Sequence, residues 1–370
     1  MTGAEARVDV IVPVHNAQRP VARAVRSALL GAGDEVRVLV VCHRVPCAAI
    51  AEALGALSSD ARVELIECSD STRGPAAPMN AGLEASTAAF VFRLDSDDEL
   101  EAGALQSMLV IQQRDDADVV IPMIVTDANG PLMSPRLRRG RTSGLDPVAD
   151  RLAYRTHTFA LLSRGRFGRL RLTPGLATGE DVEYSTAVWF SRARISADVG
   201  GPAYLLHAGA GDRVTETRRA VRDDLECVRL LLDSETFRVA GRRAQRAIAT
   251  KLMRNHVIST LHNRLSSDQW ALDDRRELAE VIAEIMVSAP GASRPLSIVE
   301  RRLLATLSDP MSPIERAIEV ASRPRRLHEL YLTLDPFGLL ASDAPIRMTA
   351  SAKYLTRAVN ARQESAPPRR

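Results

Sequence analysis

Lysine is almost missing from this sequence of 370 residues. Lys251 and Lys353 are the only two lysines, although lysine and arginine together number 49. Such a bias, together with the many alanines, is typical of codon usage in a GC-rich genome rather than of an arginine-specific binding strategy. The 49 basic and 46 acidic residues are mixed along the chain and leave a net charge of +3. We therefore expect no nucleic-acid surface.

Cysteine is scarce as well. The four cysteines, Cys42, Cys47, Cys68 and Cys227, lack C-x-x-C spacing, and two of them end apolar runs. This pattern predicts buried free thiols in a reducing cytoplasm, without disulfides or zinc ligands. A leader-like start and any run of about 18 apolar residues are also lacking, so we expect neither secretion nor membrane spanning. Peripheral contact with the inner face of the membrane stays open.

Short β-branched runs alternate with amphipathic helical segments over the first 125 residues. This alternation is typical of a parallel sheet with helices on both faces, and it predicts a doubly wound α/β fold. The predicted strands cover residues 8–14, 35–42, 62–68, 89–94 and 118–125. The predicted helices lie near residues 20–30, 47–57, 76–86 and 102–114.

The composition changes twice further along the chain. Residues 129–150 are rich in Pro, Gly, Arg and Ser, which predicts a long, mobile loop on the acceptor side. Its arginines are either a grip for an anionic substrate or a solvated charge run. From residue 217 apolar residues recur at helical spacing, so we divide the chain into an α/β domain (1–216), a helical region (217–360) and a disordered tail (361–370).

Three aspartates follow a buried strand in the stretch "VFRLDSDDEL", at Asp95, Asp97 and Asp98. Two carboxylates about 4 Å apart repel each other by roughly 4 kcal/mol at an effective dielectric of 20, so such a cluster requires protons, cations or water between the charges. Oxygen ligands suit Mg²⁺ or Mn²⁺ shared with a phosphate-bearing substrate. The other reading is a helix cap, which is the role we expect for Asp98. No G-x-G-x-x-G or G-K-[ST] follows the first strand, which disfavours a dinucleotide site and a P-loop.

Three blocks, taken together, resemble the signatures of family 2 glycosyltransferases. They are "VIVPVHNAQRPVARAVRSAL", "RGPAAPMNAGLEASTAAFVFRLDSDDEL" and "GLATGEDVEYSTAVW". The resemblance covers roughly residues 8–216. It implies a GT-A fold with a mixed sheet, a nucleotide-diphosphate sugar as donor, and transfer with inversion.

The resemblance also implies a role for each matching position. Asp181 would be the catalytic base, with Glu180 beside it in the E-D motif, although an acidic first helical turn is the alternative. Asp97 would hold Mn²⁺ or Mg²⁺, and His207 is either a second metal ligand or a hydrogen-bonded structural residue. Six positions would contact the donor: Pro13, His15, Asn16, Arg73, Asn80 and Asp95.

One loop departs from the pattern of the family. Relatives commonly carry an acidic "D-D-G-S" type of loop after the second strand, whereas this chain has "CHRVPCA" at residues 42–48. His43 stacking on a base and Asp70 replacing the lost carboxylate are two substitutes. Uridine is therefore not inferred as the donor base.

The sequence thus predicts a cytoplasmic, metal-dependent inverting glycosyltransferase of the hexosyltransferase type. Its acceptor would be an envelope, capsular or exopolysaccharide glycan or a lipid-linked precursor. The helical region is open to four roles: ordinary packing, an acceptor groove, a homodimer interface or membrane contact. The competing hypothesis is a catalytically silent GT-A module that binds nucleotide sugar or glycan.

Overall fold

The computed structural model describes residues 6–70, 72, 74–127, 130–132, 134–207 and 219–365. Its centre is a seven-stranded sheet with the order β10-β6-β9-β4-β1-β2-β3. All neighbouring pairs are parallel except those of β9, which runs antiparallel to both β4 and β6. The predicted mixed, doubly wound α/β sheet is confirmed. Its strands are β1 (Val8–Val14), β2 (Val36–His43), β3 (Val63–Cys68), β4 (Phe90–Arg93), β6 (Val119–Pro122), β9 (Leu161–Ser163) and β10 (Ile195–Asp198).

A second sheet of four short strands lies beside the carboxyl end of β4. Its order is β5-β11-β7-β8, and its strands are β5 (Glu99–Leu100), β7 (Ile124–Thr126), β8 (Gly130–Leu132) and β11 (Tyr204–Leu206). The run predicted as one strand over 118–125 is therefore two strands in two sheets. Pro122 ends β6, and a proline supplies no N–H to continue the ladder. This second sheet brings residues near 99, 126 and 206 to one place.

The described residues of the α/β part contain six α-helices, and the four predicted ones, α1 to α4, cover the faces of the large sheet. The six helices are α1 (Val21–Leu29), α2 (Cys47–Leu54), α3 (Ala76–Ala85), α4 (Ala104–Asp115), α5 (Arg164–Phe167) and α6 (Val182–Trp189). Interior positions of β1 and β2 are apolar at nearly every residue, because helices cover both faces of these strands.

The chain beyond residue 219 is helical throughout its described part, as predicted. Its helix α15 continues to Ser365, past residue 361, where the sequence predicts a tail. No helix among the described residues is long and apolar enough to cross a membrane. The helices are α7 (Val221–Asp233), α8 (Glu235–Val239), α9 (Arg242–Leu252), α10 (Ser259–His262), α11 (Leu272–Ser288), α12 (Ile298–Leu307), α13 (Ile314–Ser322), α14 (Leu327–Tyr331) and α15 (Pro345–Ser365).

The helical region has a hydrophobic core of its own. This core is built from α7, α9, α11 and α12, and it also takes in two residues of the α/β part, Leu176 and Val182. The segment that leads into α6 therefore packs on the helical region rather than on the large sheet. As a result, the two parts of the chain share the residues around positions 180 and 181.

Gly82 lies inside α3 and is buried. A Cβ at this position would lie 2.4 Å from Cγ2 of Ile11 in β1. The glycine is needed because the helix backbone lies directly against a buried side chain of the sheet, and no other residue fits without movement.

We expect Gly82→Ala to lower the free energy of unfolding by about 1–3 kcal/mol, because the added methyl group overpacks the contact with Ile11. Gly200→Ala is the matched control, since nothing lies within 4 Å of a Cβ there. Urea unfolding followed by circular dichroism measures both variants. An unchanged midpoint for Gly82→Ala would show that α3 can move away from β1.

Candidate active site

Asp95 lies just beyond the end of β4, on the edge of the sheet where ligands of open α/β sheets bind. Its carboxylate accepts hydrogen bonds from Nε of Arg93 at 2.8 Å and from Nη2 of Arg93 at 3.3 Å. Its backbone N–H donates to the hydroxyl of Tyr204 at 3.2 Å. The side chain remains 27% exposed, so a ligand can reach it.

Asp97 has a different cation as its partner. Nη1 of Arg19 lies 2.9 Å from its Oδ1, and the guanidinium of Arg23 donates to the backbone carbonyl of Asp97. Arg23 also forms an ion pair with Glu99, at 2.8 Å from Nε to Oε1. The sequence predicted protons, cations or water between these carboxylates, and arginine side chains from the segment that follows β1 supply the cations.

Asp98 does not cap a helix, contrary to our expectation, because α4 begins only at Ala104 and Gly103 precedes it. Its Oδ2 accepts from the Tyr204 hydroxyl at 2.7 Å, and its Oδ1 accepts from the backbone N–H of His207 at 2.9 Å. Burial and the charge of Asp95 raise the pKa of Asp98 to about 6. Asp98 thus joins the end of β4 to β11.

His207 is brought to the carboxylate cluster by this connection. Its Nε2 lies 3.4 Å from Oε1 of Glu99, and its Nδ1 lies 3.4 Å from Oδ2 of Asp127. The residue predicted as a metal ligand therefore lies among acidic side chains, directly after β11, the strand that pairs with β5.

Asp181 and Glu180 form the turn that leads into α6. Asp181 is buried, and Nδ1 of His157 lies 3.2 Å from its Oδ2. Burial alone would raise the pKa of Asp181, but the hydrogen bond and charge of His157 and the charges of Arg93 and Lys251 lower it further than burial raises it. The net shift is downward, so the carboxylate is held in the ionised form that can accept a proton.

The pKa of Glu180 shifts in the opposite direction. Burial and the neighbouring charge of Asp181 raise the pKa of Glu180. Two adjacent carboxyl groups with pKa values pushed apart are typical of acid–base sites, in which one group stays ionised and the other tends to keep its proton.

Arg93 lies between the aspartates that follow β4 and the E-D turn. Its guanidinium binds Asp95, lies 5.5 Å from the centre of the Phe159 ring and exerts its charge on both Glu180 and Asp181. The aspartates at the end of β4 and the E-D turn therefore lie around one buried cation, although 86 positions separate Asp95 from Asp181 in the sequence.

The residues predicted to contact the donor lie in several parts of the structure. Pro13 and His15 lie at the carboxyl end of β1, where His15 is exposed. Oδ1 of Asn16 accepts from the N–H of Gln18 at 2.9 Å, so Asn16 forms a turn and does not cap α1, which begins at Val21. Arg73 lies outside the described residues, next to Gly74.

The Asn80 amide is already engaged within the protein. Its Nδ2 donates to the carbonyl of Leu172 at 2.9 Å, and its Oδ1 accepts from the N–H of Leu172 at 2.8 Å. Both ends of the amide are therefore used to fasten α3 to the segment before the E-D turn. A contribution of Asn80 to donor binding would act through this segment.

The unusual loop after β2 joins the end of β3. His43 is buried, and its Nε2 lies 3.0 Å from the carbonyl of Asp70, so its ring is not available to stack on a base as we had suggested. The Asp70 carboxylate is exposed, and a hydrogen bond from the N–H of Thr72 lowers its pKa. Of the two substitutes for the missing acidic loop, Asp70 is the one that a base can reach.

One arginine of the predicted loop over 129–150 has a clear structural role. Arg138 forms hydrogen bonds from Nε and Nη2 to the buried carboxylate of Asp150 at 2.8 and 2.7 Å. Leu137 and Leu145 are buried against the large sheet. These contacts fasten the segment to the domain along much of its length, where the sequence had suggested a mobile loop.

Comparisons with known proteins agree with this arrangement. Residues 9–170 match the family described as Glycosyl transferase family 2. Residues 9–170 belong to glycosyl transferase family 2. The matched part contains the ends of β1, β2, β3 and β4, whereas α6, β10 and β11 follow it in the chain.

One curated protein similar to this chain is the succinoglycan biosynthesis protein ExoO of Rhizobium meliloti (strain 1021). It is 38% identical over 103 residues, which is 28% of this chain and 28% of ExoO. The matched segment thus spans less than a third of that relative's length.

Two solved structures have the same fold. Residues 1-349 of S. aureus TarS in complex with UDP-GlcNAc superpose with a TM-score of 0.71 at 17% identity, covering 85% of this chain and 90% of that one. The TarS complex with UDP gives 0.68 at 16% identity, covering 87% and 95%. The predicted GT-A fold with a helical carboxyl-terminal region is confirmed.

Sequence reasoning missed two residues that act on the E-D turn. We assigned no function to His157, which forms the hydrogen bond to Asp181, because nothing in its local sequence separates it from a surface histidine. Lys251 lies in the helical region and exerts its charge on Asp181. Its rarity in an arginine-rich chain was the only available signal.

A divalent cation would find two suitable side chains here. The carboxylate of Asp97 and the imidazole of His207 suit Mn²⁺ in kind, and imidazole is a less typical ligand for Mg²⁺. Among the described residues there is no group of three or more side chains that could hold a metal ion. Asp97 is also paired with Arg19, so an ion would have to take the place of that guanidinium.

We expect Tyr204→Phe to lower the free energy of unfolding by about 1–3 kcal/mol, because it removes the hydroxyl between the Asp95 N–H and the Asp98 carboxylate and leaves a buried acceptor unsatisfied. The Phe159 ring, stacked on Tyr204 at 4.2 Å, keeps its partner in this variant. Urea unfolding gives the change, and Tyr184→Phe, at a buried tyrosine of α6, is the control. Equal stability of wild type and Tyr204→Phe would contradict the role given to this hydroxyl.

Proposed function

We propose that this chain is a metal-dependent inverting glycosyltransferase of the hexosyltransferase type. It would transfer a sugar from a nucleotide-diphosphate donor to a hydroxyl group of a glycan or lipid-linked acceptor. The observation that carries the proposal is the arrangement around Arg93, with Asp95 of the "DSD" stretch on one side and the Glu180–Asp181 turn on the other. Membership of residues 9–170 in glycosyl transferase family 2 supports it.

Asp181 is the proposed base. As the acceptor oxygen forms its bond to the anomeric carbon of the sugar, the bond between that carbon and the diphosphate oxygen breaks, and the hydroxyl proton passes to a carboxylate oxygen of Asp181. The base and the leaving group lie on opposite sides of the sugar in such a displacement, which inverts the configuration. The hydrogen bond from His157 leaves one Asp181 oxygen, Oδ1, for the acceptor.

The departing diphosphate needs positive charge on the other side of the sugar. Asp97 and His207 are the proposed ligands of Mn²⁺ or Mg²⁺, which when bound supplies that charge. Arg19 and Arg23 reach the same place from the segment after β1, and a guanidinium released from Asp97 becomes available to the phosphates.

The nucleoside would lie over the ends of β1, β2 and β3. His15 and Asp70 are two of the exposed polar side chains there, and Asp95 faces the ribose in this proposal. The complexes of TarS with UDP-GlcNAc and UDP support a nucleotide sugar as the donor. The name of ExoO supports an exopolysaccharide glycan as the product.

The first test is a donor screen that follows release of nucleoside diphosphate from UDP, GDP and dTDP sugars with Mn²⁺ or Mg²⁺. We expect one donor to be consumed, and we expect Asp181→Asn to lower kcat by about 10²–10⁴-fold, as for loss of a general base. Asp273→Asn, at a side chain that is 95% exposed in α11, is the matched control and should keep full activity.

Calorimetric titration with the same donors separates the two hypotheses. A chain that binds a nucleotide sugar with unchanged affinity in Asp181→Asn, and turns over none of the donors with any acceptor, would be the catalytically silent module.

The second test concerns the metal. We expect EDTA to abolish turnover and added Mn²⁺ to restore it. Asp97→Asn should raise the concentration of Mn²⁺ needed for half-maximal rate by about tenfold or more, because a neutral amide replaces one of only two protein ligands. Activity that survives EDTA would contradict the metal assignment and leave Arg19 and Arg23 as the cations.

A further inference from the structure

The E-D turn rests on the helical region. Leu176 and Val182, which flank the turn, belong to the core formed by α7, α9, α11 and α12. A turn held by a second core moves only when that core moves. The position of Asp181 therefore depends on residues of the helical region.

Cys227 of α7 lies against Gly179, the residue that precedes this turn. Gly179, with φ of +76°, has no side chain, and a Cβ there would lie 2.5 Å from Sγ of Cys227. The thiol is buried, and burial raises its pKa to about 12. The uncharged side chain of Cys227 thus packs directly against Gly179, which precedes Glu180.

A series of polar side chains continues from Cys227. Nδ1 of His256 lies 3.9 Å from Sγ of Cys227, and Nε2 of the same ring lies 3.1 Å from Nζ of Lys251. Burial lowers the pKa of His256 well below its ordinary value, so the imidazole is neutral. Because an ammonium group can only donate, Nε2 accepts and the ring proton is on Nδ1, facing the sulfur.

The local backbone explains how Lys251 and His256 meet. Residues five apart on an α-helix point about 140° away from each other, since each residue turns the helix by about 100°. Here α9 passes into a π-helical segment, Met253–Ile258, whose i→i+5 hydrogen bonds place residues five apart one above the other. Such π segments are frequent at functional sites.

Lys251 is 3% exposed, and His256 is its only hydrogen-bond partner among the described residues. Burial lowers the pKa of its ammonium group, while the charge of Asp181 acts in the opposite direction. Between the described side chains of Lys251 and Asp181 there is no ion pair, so their charges act on each other at longer range. The other charged groups facing Asp181 are His157, Arg93 and Glu180.

A lysine suits this position better than the arginine that this chain uses almost everywhere else. A guanidinium carries five donors in a flat fork, and a buried one leaves donors unsatisfied unless many acceptors surround it. An ammonium is compact and needs fewer partners. One of the two lysines in the chain thus occupies a place where the usual basic residue would not fit.

We propose that Lys251 is a positioning residue for Asp181. In this proposal the contacts from Lys251 through His256 to Cys227 couple the packing of the helical region to the turn that carries the base. The inference rests on the proposed function, in which Asp181 takes the acceptor proton. Lys251 itself touches neither the donor nor the acceptor.

The first experiment does not depend on turnover. The protein is labelled with ¹³C at the aspartate carboxyl carbons, the Asp181 signal is assigned with Asp181→Asn, and the signal is titrated by NMR. We expect Lys251→Met to move the pKa of Asp181 upward, because a buried positive charge near the carboxylate is lost. Lys353→Met, at the other, exposed lysine, is the matched control and should leave the titration unchanged.

The second experiment uses the reaction. Below the pKa of the base, the rate falls as Asp181 takes up a proton, so Lys251→Met should shift the acid limb of the pH–rate profile to higher pH. We expect kcat near that limb to fall by about tenfold, with the donor KM within about twofold of wild type, because donor binding does not involve Lys251. A merely structural role would change stability and leave the acid limb in place.

The outcomes are distinguishable. If no donor is turned over but Lys251→Met raises the pKa of Asp181, the proposed function fails and the electrostatic link stands. If Lys251→Met folds and leaves both the titration and the acid limb unchanged, the proposal is overturned.

His256→Leu is the second variant if Lys251→Met does not fold. Without its acceptor the ammonium is no longer held, and the pKa of Asp181 should rise, whereas His256→Gln, which keeps an acceptor, should produce a smaller change. Equal titrations of Asp181 in wild type and His256→Leu would also overturn the proposal.

Discussion

Repulsion among carboxylates is the constraint on which the site depends. Asp95, Asp97, Asp98 and Glu99 follow one another within five positions at the end of β4, and each pair at contact distance costs several kcal/mol unless cations intervene. Arg93, Arg19 and Arg23 meet three of these side chains directly. Asp98 is served by a hydroxyl and a backbone N–H instead. Each carboxylate thus has its own partner, and the partners come from three parts of the fold: β4, the segment after β1, and the end of β11.

This division of partners explains the second sheet. Strands of two or three residues contribute little stability alone, but β11 supplies both groups that bind Asp98, and β5 carries Glu99 next to it. The small sheet therefore holds the carboxylate cluster in position. Its pairing keeps His207, at the end of β11, close to Glu99 and Asp127.

Sequence patterns predicted strands β1, β2, β3, β4 and β6 of the large sheet, and they did not predict the small sheet. The long β-branched runs at β1 and β2 have a clear period, whereas β5, β7, β8 and β11 are too short to show one. The motif residues Asp95, Asp97 and Asp181 were found because each lies in a recognisable local block. Their partners were not found, because the pairs Tyr204–Asp98 and His157–Asp181 join segments that only tertiary folding brings together, 106 and 24 positions apart. Lys251 and His256 meet only because of a π segment, which no residue pattern signals.

The contact between Gly82 and Ile11 determines how closely α3 packs on β1. The segment that holds His15 leaves the end of β1, and the segment that holds Gly74 enters α3. A larger residue at position 82 would push α3 away from β1 and would therefore move these two segments of the candidate site apart. A missing methyl group in the interior of the domain thereby affects the geometry of the candidate site at its edge.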